Sequence, residues 1–336
     1  MYPEDDLIDE RPAISADEYL AGQKRSIRKR SWWAIGIGAA IVLLHVVGFL
    51  FLSAFQDRLR GEIDEPIEWT FIFRSIFFIL GALALFAGLW GLYYAKKLTL
   101  NDLIPSLEVI GYLQAGQSIR PVFSFTLIGG IVLVTLVQMA TGLDRSIAIA
   151  GFVKPDFWAH HEYWRLLTGA VMHGGLLHIY FNSQALYGFG SMVEQLANRA
   201  HLPIVFLLAA ICGGFLSLWF MPAGTSVGAS GGIMGLIGYM AIFGYRRKKQ
   251  LPPDFLKTML INIAFIGAIG VIGYQLIDNF AHLGGLLAGG LYGLIQVPSD
   301  PTADPRRVGL ATNALGILSI IIFAAICLFT IVLLVS

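Results

Sequence analysis

Charged residues and cysteines are both scarce in this sequence. Only 13% of its 336 residues are Asp, Glu, Lys or Arg, and the net charge is +1, whereas soluble domains carry about 25% charged residues. So small a net charge gives no electrostatic basis for a nucleic-acid partner. The two cysteines, Cys212 and Cys327, stand inside apolar runs and predict neither a disulfide framework nor a metal site.

Apolar residues, in contrast, make up 56% of the chain. A single globular core cannot bury so many, and a membrane-spanning helix needs about 20 of them in succession. Nine stretches of suitable length predict an all-α polytopic membrane protein. They cover residues 32–55, 70–95, 123–142, 175–193, 202–221, 229–245, 256–274, 279–297 and 310–335.

Lysine and arginine in the short loops predict the orientation, because these residues accumulate on the cytoplasmic side. If the basic stretch 24–30 is cytoplasmic, nine crossings place four later loops on that side, and every one of them is basic, whereas the outer loop 56–68 has two arginines but five acidic residues. These loops hold Lys96, Lys97, Arg120, Arg199, Arg246–Lys249 and Arg306–Arg307. The C-terminus is then expected outside. Residues 1–23 are acidic and polar, unlike a signal or transit peptide, and the pattern as a whole suits a bacterial cytoplasmic membrane.

The spans and loops together predict five regions. These are a cytoplasmic tail at 1–31, two N-terminal spans within 32–95, a cytoplasmic linker at 96–122, a core at 123–297, and a cytoplasmic loop with a final span at 298–336. Within the core, residues 143–173 form a long outer loop rich in aromatic residues. Loops of this length are usually functional or disordered, and the aromatic content predicts that this one lies partly in the membrane interface.

Polar residues inside apolar spans mark candidate sites, because lipid does not solvate them. His173, His178 and Asn182 fall near the outer end of the fourth span, Ser230 begins the sixth, and His282 lies in the eighth. The predicted topology brings all five to the non-cytoplasmic side. His178 and Asn182 are four residues apart, so they share one helix face.

Glycine stripes predict that the sixth and eighth spans pack closely. One stripe contains Gly231, Gly235 and Gly238, while the other continues from His282 through Gly285 and Gly289. Small residues at such spacing allow two helix backbones to approach, which would bring Ser230 within reach of His282. Imidazole is the usual base for a serine nucleophile, and free N–H groups at a helix start can stabilise an oxyanion.

These residues resemble the motifs of the rhomboid family of intramembrane serine proteases. The matching pieces are Trp164-Arg165, His173, His178 with Asn182, Gly190 with Glu194, Gly228-Ala229-Ser230-Gly231, and Ala281-His282-Leu283-Gly284-Gly285 with Gly289. They occur in the family's order and spacing over residues 123–297, about half of the chain. Each piece alone is weak, but the combination is highly specific.

The resemblance implies a six-helix core with two extra N-terminal spans and one extra C-terminal span. It implies Ser230 as nucleophile, His282 as general base, and oxyanion donors from Asn182, His178 and the Ser230 amide. Supporting roles would fall to His173, Gly228, Gly231, Trp164, Arg165, Glu194, Gly285 and Gly289. The implied substrates are single-span membrane proteins, cut near the outer membrane face without a cofactor or metal. Many members carry an aromatic residue four positions after the serine, where this chain has Met234.

Several alternatives stay open from the sequence alone. Asp278, four residues before His282, is either a third catalytic residue or an acid at a helix start. Ser226 is a second candidate nucleophile, and the run His160-His161-Glu162 is a weak metal candidate. Arg165 and Glu194 are expected to be structural, and Glu194 is expected to tie the inner end of its helix either to a neighbouring backbone or to Arg199. At the level of function, the alternatives are a non-catalytic relative that binds transmembrane clients and, less well supported, a transporter.

Overall fold

The computed structural model describes residues 15–55, 75–103, 107–300 and 302–336. The first 14 residues of the predicted tail and the start of the second predicted span lie outside the described residues. Internal contacts divide the chain into two compact units, Met1–Pro105 and Ser106–Ser336.

The first unit is a helical hairpin. It contains α1 (Ala16–Phe55), α2 (Ile76–Lys97) and the short α3 (Leu100–Leu103). Glycines let α1 and α2 approach closely, since a Cβ on Gly38 would lie 2.6 Å from the Gly81 carbonyl oxygen. The first helix has 40 residues and begins well before the predicted span. Its basic stretch continues the helix because Lys and Arg are good helix formers.

The second unit contains eleven α-helices, one short 3-10 helix (Gly169–Val171) and two short strands among its described residues. The helices are α4 (Leu107–Gln117), α5 (Val122–Thr141), α6 (Leu143–Ala150), α7 (Lys154–Ala159), α8 (Arg165–Thr168), α9 (Leu176–Leu196), α10 (His201–Phe220), α11 (Ser230–Arg246), α12 (Phe255–Ile272), α13 (Asn279–Gln296) and α14 (Leu310–Val335). The strands, β1 (Phe152–Val153) and β2 (Thr225–Ser226), pair antiparallel. Apart from this two-residue pair, the all-α prediction is confirmed.

Each of the nine predicted spans coincides with a long helix in the described part of the chain. Six of these helices are long and apolar enough to cross a membrane, namely α1, α2, α5, α10, α12 and α14. The other three, α9, α11 and α13, carry Asn182, Ser230 and His282. The multi-pass membrane fold is therefore confirmed, while the count of nine crossings stays a prediction.

Helix α11 lies at the centre of the second unit. Twelve of its 17 residues are buried, including Tyr239, Met240 and Phe243. A helix that is buried on nearly every side belongs to the interior of a bundle. By contrast, α12 buries only Met259 and Gly270, so it lies at the periphery.

Close packing of α11 against α13 confirms the predicted contact between the glycine stripes. A Cβ on Gly285 would lie 2.1 Å from the Gly231 carbonyl oxygen, and one on Gly289 would lie 1.9 Å from that of Gly235. Any side chain at Gly285 or Gly289 would therefore overlap the backbone of α11. This approach positions the first turns of the two helices side by side.

Candidate active site

Ser230 and His282 face each other across the α11–α13 contact. The Ser230 hydroxyl lies 2.7 Å from Nε2 of the His282 imidazole, although the two residues are 52 positions apart. Ser230 is the first residue of α11, so its N–H is one of those that have no partner within the helix. The pair therefore has the geometry that base activation of a serine requires.

Gly228 brings the segment before Ser230 against the ring of His178. Its φ is +133°, a conformation that favours glycine. A Cβ at this position would also lie 2.8 Å from His178 Nε2. The Gly228 amide donates to the Gly169 carbonyl oxygen at 2.9 Å, which ties this segment to the outer loop. Glycine is thus required both by conformation and by space.

His178 and Asn182 lie on α9 and approach the same segment. The Gly174 amide donates to His178 Nδ1 at 3.3 Å, which assigns the ring proton to Nε2, the nitrogen that faces Gly228. The Asn182 amide nitrogen is buried and has no hydrogen-bond partner among the described residues. A buried donor without a partner lowers the stability of the fold by roughly 1–3 kcal/mol. This nitrogen is therefore available to donate a hydrogen bond to an acceptor on a bound ligand.

His173 is anchored to α5 and stands beside His178. Its Nδ1 lies 3.3 Å from the Thr135 hydroxyl, and its amide donates to the Gln138 side-chain oxygen at 2.9 Å. The rings of His173 and His178 meet edge to face at 5.1 Å. Burial lowers the pKa of His173 to about 3, so this imidazole is neutral at physiological pH and supports the position of His178.

Arg165 ties the outer loop together. Its guanidinium donates to the carbonyl oxygens of Ala148 and Gly151 at 3.1 and 2.9 Å. It also pairs with Glu162 and with Asp156. Trp164 packs edge to face on Phe329 of α14, with ring centroids 5.8 Å apart. These contacts support a structural role for the Trp164-Arg165 motif.

The run 160–162, a weak metal candidate in the sequence, does not form a cluster by itself in the structure. His160 and Glu162 come together with Asp156, and their ligand atoms lie within 4.8 Å of one another. His161 instead hydrogen-bonds the Tyr163 hydroxyl at 2.8 Å. Arg165 pairs with both carboxylates, so a cation there would have to displace its guanidinium.

Glu194 caps the start of α5. It accepts hydrogen bonds from the amides of Phe123 and Ser124, at 3.1 and 2.7 Å, and from the Ser124 hydroxyl at 2.7 Å. These amides belong to the first turn of α5, where they have no intrahelical partner. Of the two partners expected for Glu194, the structure shows the neighbouring backbone rather than Arg199.

Asp278 is the N-cap of α13. One carboxylate oxygen accepts the Ala281 amide at 2.9 Å, and the other accepts hydroxyls from Ser217 and Ser226. Its carboxylate therefore serves the helix start, and none of its hydrogen bonds joins it to the His282 ring. Ser226 donates to Asp278, whereas His282 Nε2 contacts Ser230, which favours Ser230 as the nucleophile.

Three polar residues close to the site have no signal in the sequence. Lys154 is fully buried against Asp278, and Ser217 joins the same carboxylate. Gln138 holds the backbone of His173 through both ends of its side-chain amide. Their partners lie 35 or more positions away along the chain, so no local pattern indicates them.

Comparison with known proteins identifies the same region. Residues 160–299, which include every candidate site residue, match the family model described as Rhomboid domain. The chain is 32% identical to rhomboid protease GluP of Bacillus subtilis (strain 168) over 179 residues, 52% of this chain and 34% of that protein. It is 28% identical to inactive RHOMBOID-like protein 8 of Arabidopsis thaliana over 130 residues, 38% of this chain and 37% of that protein.

The chain therefore spans about a third of the length of these two relatives. It covers a larger share of YdcA, a candidate rhomboid protease of Bacillus subtilis (strain 168). The identity is 30% over 140 residues, which are 41% of this chain and 70% of YdcA. Because the relationship holds over most of YdcA and the family model covers the site, this chain belongs to the rhomboid family of multi-pass membrane proteins.

Proposed function

We propose that this chain is an intramembrane serine endopeptidase that cleaves transmembrane proteins. The observation that carries the proposal is the 2.7 Å hydrogen bond between Ser230 Oγ and His282 Nε2. Serine is a weak nucleophile unless a base accepts its proton, and imidazole is a suitable base near neutral pH. GluP, a relative at 32% identity, is named as a protease, which supports the same activity here.

In the proposed reaction, Ser230 Oγ attacks the scissile carbonyl carbon while its proton passes to His282 Nε2. The carbonyl oxygen becomes an oxyanion, and the candidate donors are the Ser230 amide, Asn182 Nδ2 and His178 Nε2. When the intermediate collapses, His282 returns the proton to the leaving amine and an acyl-enzyme remains. Water then attacks this ester, with His282 again accepting and returning a proton, and the free serine is restored.

The proposed substrates are single-span membrane proteins cut near the outer membrane face. The charge pattern supports an N-terminus in the cytoplasm, nine crossings and a site on the extracytoplasmic side. On this basis we assign the chain to a bacterial cytoplasmic membrane. The proposed regions remain a tail at 1–31, two spans within 32–95, a linker at 96–122, a catalytic core at 123–297 and a final loop and span at 298–336.

The alternative is a rhomboid-like protein that binds transmembrane clients without cutting them. One relative is named inactive RHOMBOID-like protein 8, so a protein named as inactive occurs among similar sequences. Against this alternative, the serine and the histidine of this chain are both present and hydrogen-bonded. A binding protein would not need a base beside that hydroxyl.

The two functions differ in the reactivity of Ser230 toward a fluorophosphonate probe. We expect the detergent-solubilised protein to be labelled and the Ser230→Ala variant to resist labelling. Ser191→Ala is the matched control, because Ser191 is a buried serine on α9 outside the candidate site, and it should label like the wild type. Equal labelling of the wild type and Ser230→Ala, or no labelling while a reference serine protease reacts, would refute the proposal.

A further inference from the structure

A largely buried pair of charges lies next to the candidate site, with Lys154 buried and Asp278 partly exposed. Lys154 Nζ is 3.4 Å from Asp278 Oδ2, and the two side chains are 0% and 15% exposed. Burying an ion pair costs solvation that mutual attraction often fails to recover, so such a pair is weak evidence for stability. Its presence beside the serine and the histidine calls for another explanation.

The Asp278 carboxylate joins three elements of the fold. Its Oδ2 accepts hydroxyls from Ser217, near the end of α10, and from Ser226 in β2. Its Oδ1 accepts the Ala281 amide at 2.9 Å, and its main-chain oxygen accepts the His282 amide at 3.1 Å. One side chain thus fixes both the strand before Ser230 and the first turn of the helix that carries His282.

Lys154 adds the outer loop to this junction. Its amide donates to the Gly224 carbonyl oxygen at 3.2 Å, and the preceding strand β1 pairs with β2, where Phe152 lies opposite Ser226. Burial raises the pKa of Asp278, but the hydrogen bonds from Ser217, Ser226 and Ala281 and the charge of Lys154 outweigh it and hold that pKa below its ordinary value. The carboxylate is therefore ionised and attracts all four donors.

We propose that Lys154 and Asp278 are positioning residues that hold Ser230 and His282 at hydrogen-bonding distance. This inference rests on the proposed protease function. Ser226 precedes Ser230 by four residues, and Asp278 precedes His282 by four, so one carboxylate sets the relative place of both chain segments. Neither Lys154 nor Asp278 hydrogen-bonds the catalytic hydroxyl or ring, and their effect passes through Ser226 and the start of α13.

The first test compares Asp278→Asn, Lys154→Met and the double variant in the full-length protein. The readouts are kinact and KI for a fluorophosphonate probe, together with the thermal melting temperature. Each single variant should melt lower, since it removes one member of a buried pair. The double variant removes both charges, so its melting temperature should rise again toward that of the wild type. Its kinact should nevertheless stay at least about tenfold below the wild-type value. A displacement of a reacting group by about 1 Å can lower the reaction rate up to about a hundredfold.

If the ion pair were merely structural, kinact of the double variant would recover together with its melting temperature. That outcome would overturn the positioning role.

A milder variant provides a second test in case Asp278→Asn does not fold. Ser226→Ala removes one hydroxyl donor to the carboxylate, and Thr225→Ala removes a hydroxyl from the neighbouring, exposed residue of β2. We expect Ser226→Ala to lower kinact several-fold at unchanged KI and Thr225→Ala to match the wild type. Equal kinact for both variants would contradict the proposal. Failure of the wild type itself to label at Ser230 would instead refute the proposed function, and the positioning role with it.

Discussion

At the scale of single residues, the proposed oxyanion donors are the most distinctive feature of the candidate site. Asn182 keeps a buried amide nitrogen without a partner among the described residues, although such a group normally costs stability. Its neighbour His178 has one ring nitrogen occupied by the Gly174 amide, which leaves the other to donate. Both groups approach the segment at Gly228 that leads into Ser230. Unpaired donors beside a nucleophile are expected where a reaction creates negative charge.

Replacing Asn182 by Ala should therefore lower kcat by about 100- to 1000-fold and leave KM nearly unchanged, since a single oxyanion donor acts mainly in the transition state. The measurement is steady-state cleavage of a single-span model substrate in detergent. Asn262→Ala is the matched control, because the Asn262 amide donates only one turn back along α12, to the Thr258 carbonyl oxygen. Unchanged kcat in Asn182→Ala would contradict its proposed role as an oxyanion donor.

Residues differ in how far the sequence alone reveals them. Ser230, His282 and Asn182 can be predicted because lipid makes every polar group in a span conspicuous. Lys154 cannot, because it stands in a polar loop where a lysine is ordinary, and its partner is 124 positions away. For Asp278 the sequence leaves two roles open, and only the three-dimensional contacts of its carboxylate decide for the helix cap.

At the scale of elements, the approach of α11 and α13 determines whether the site exists. The stripe pattern predicts this packing from spacing alone, and the structure confirms it. Gly290 provides an internal comparison, since it follows Gly289 on α13 yet a Cβ there would have only the Gly238 carbonyl oxygen nearby, at 4.0 Å. A Cβ on Gly289 would lie 1.9 Å from the Gly235 carbonyl oxygen. A side chain at position 289 would therefore force the two helices apart.

Gly289→Ala should reduce fluorophosphonate labelling and lower the melting temperature, because overpacking costs about 1–3 kcal/mol and separates His282 from Ser230. Gly290→Ala should behave like the wild type or melt slightly higher. Both substitutions give α13 the same gain in helix propensity, so a difference between them reports on packing. Similar labelling and melting for the two variants would mean that the α11–α13 distance is not critical.

Element boundaries and small contacts are less predictable than the spans. The hydropathy pattern cannot mark the start of α1 at Ala16, because a helix continues into water when its residues favour it. The pairing of β1 with β2 involves two residues from each strand, separated by more than 70 positions. A contact so short and so distant leaves no periodic signal in the sequence.

At the scale of the whole molecule, the candidate site is built only from residues of the second unit, Ser106–Ser336. The last helix belongs to the same hydrophobic core. Phe323 of α14 is 1% exposed and meets Phe206 of α10 edge to face at 5.8 Å. The Thr141 hydroxyl at the end of α5 donates to the Leu334 carbonyl oxygen at 3.3 Å. An extra helix outside the family-like core is thus packed into it.

Opposite ends of the chain should consequently respond differently to deletion. Removing residues 1–105 should leave fluorophosphonate labelling of Ser230 intact, whereas removing residues 308–336 should abolish it. Deleting α14 uncovers buried apolar surface and takes away Phe329, on which Trp164 of the outer loop packs. The labelled fraction of detergent-solubilised protein, normalised to the amount of monodisperse protein, measures both effects.

Phe323→Ala provides a point substitution that mimics the loss of α14 without shortening the chain. Truncating a buried phenylalanine costs about 3–5 kcal/mol, so this variant should melt well below Phe329→Ala, whose side chain is 43% exposed.

Full labelling after removal of residues 308–336 would show that α14 is dispensable. Lost labelling after removal of residues 1–105 would show that the first unit is needed for a site to which it contributes none of the candidate residues.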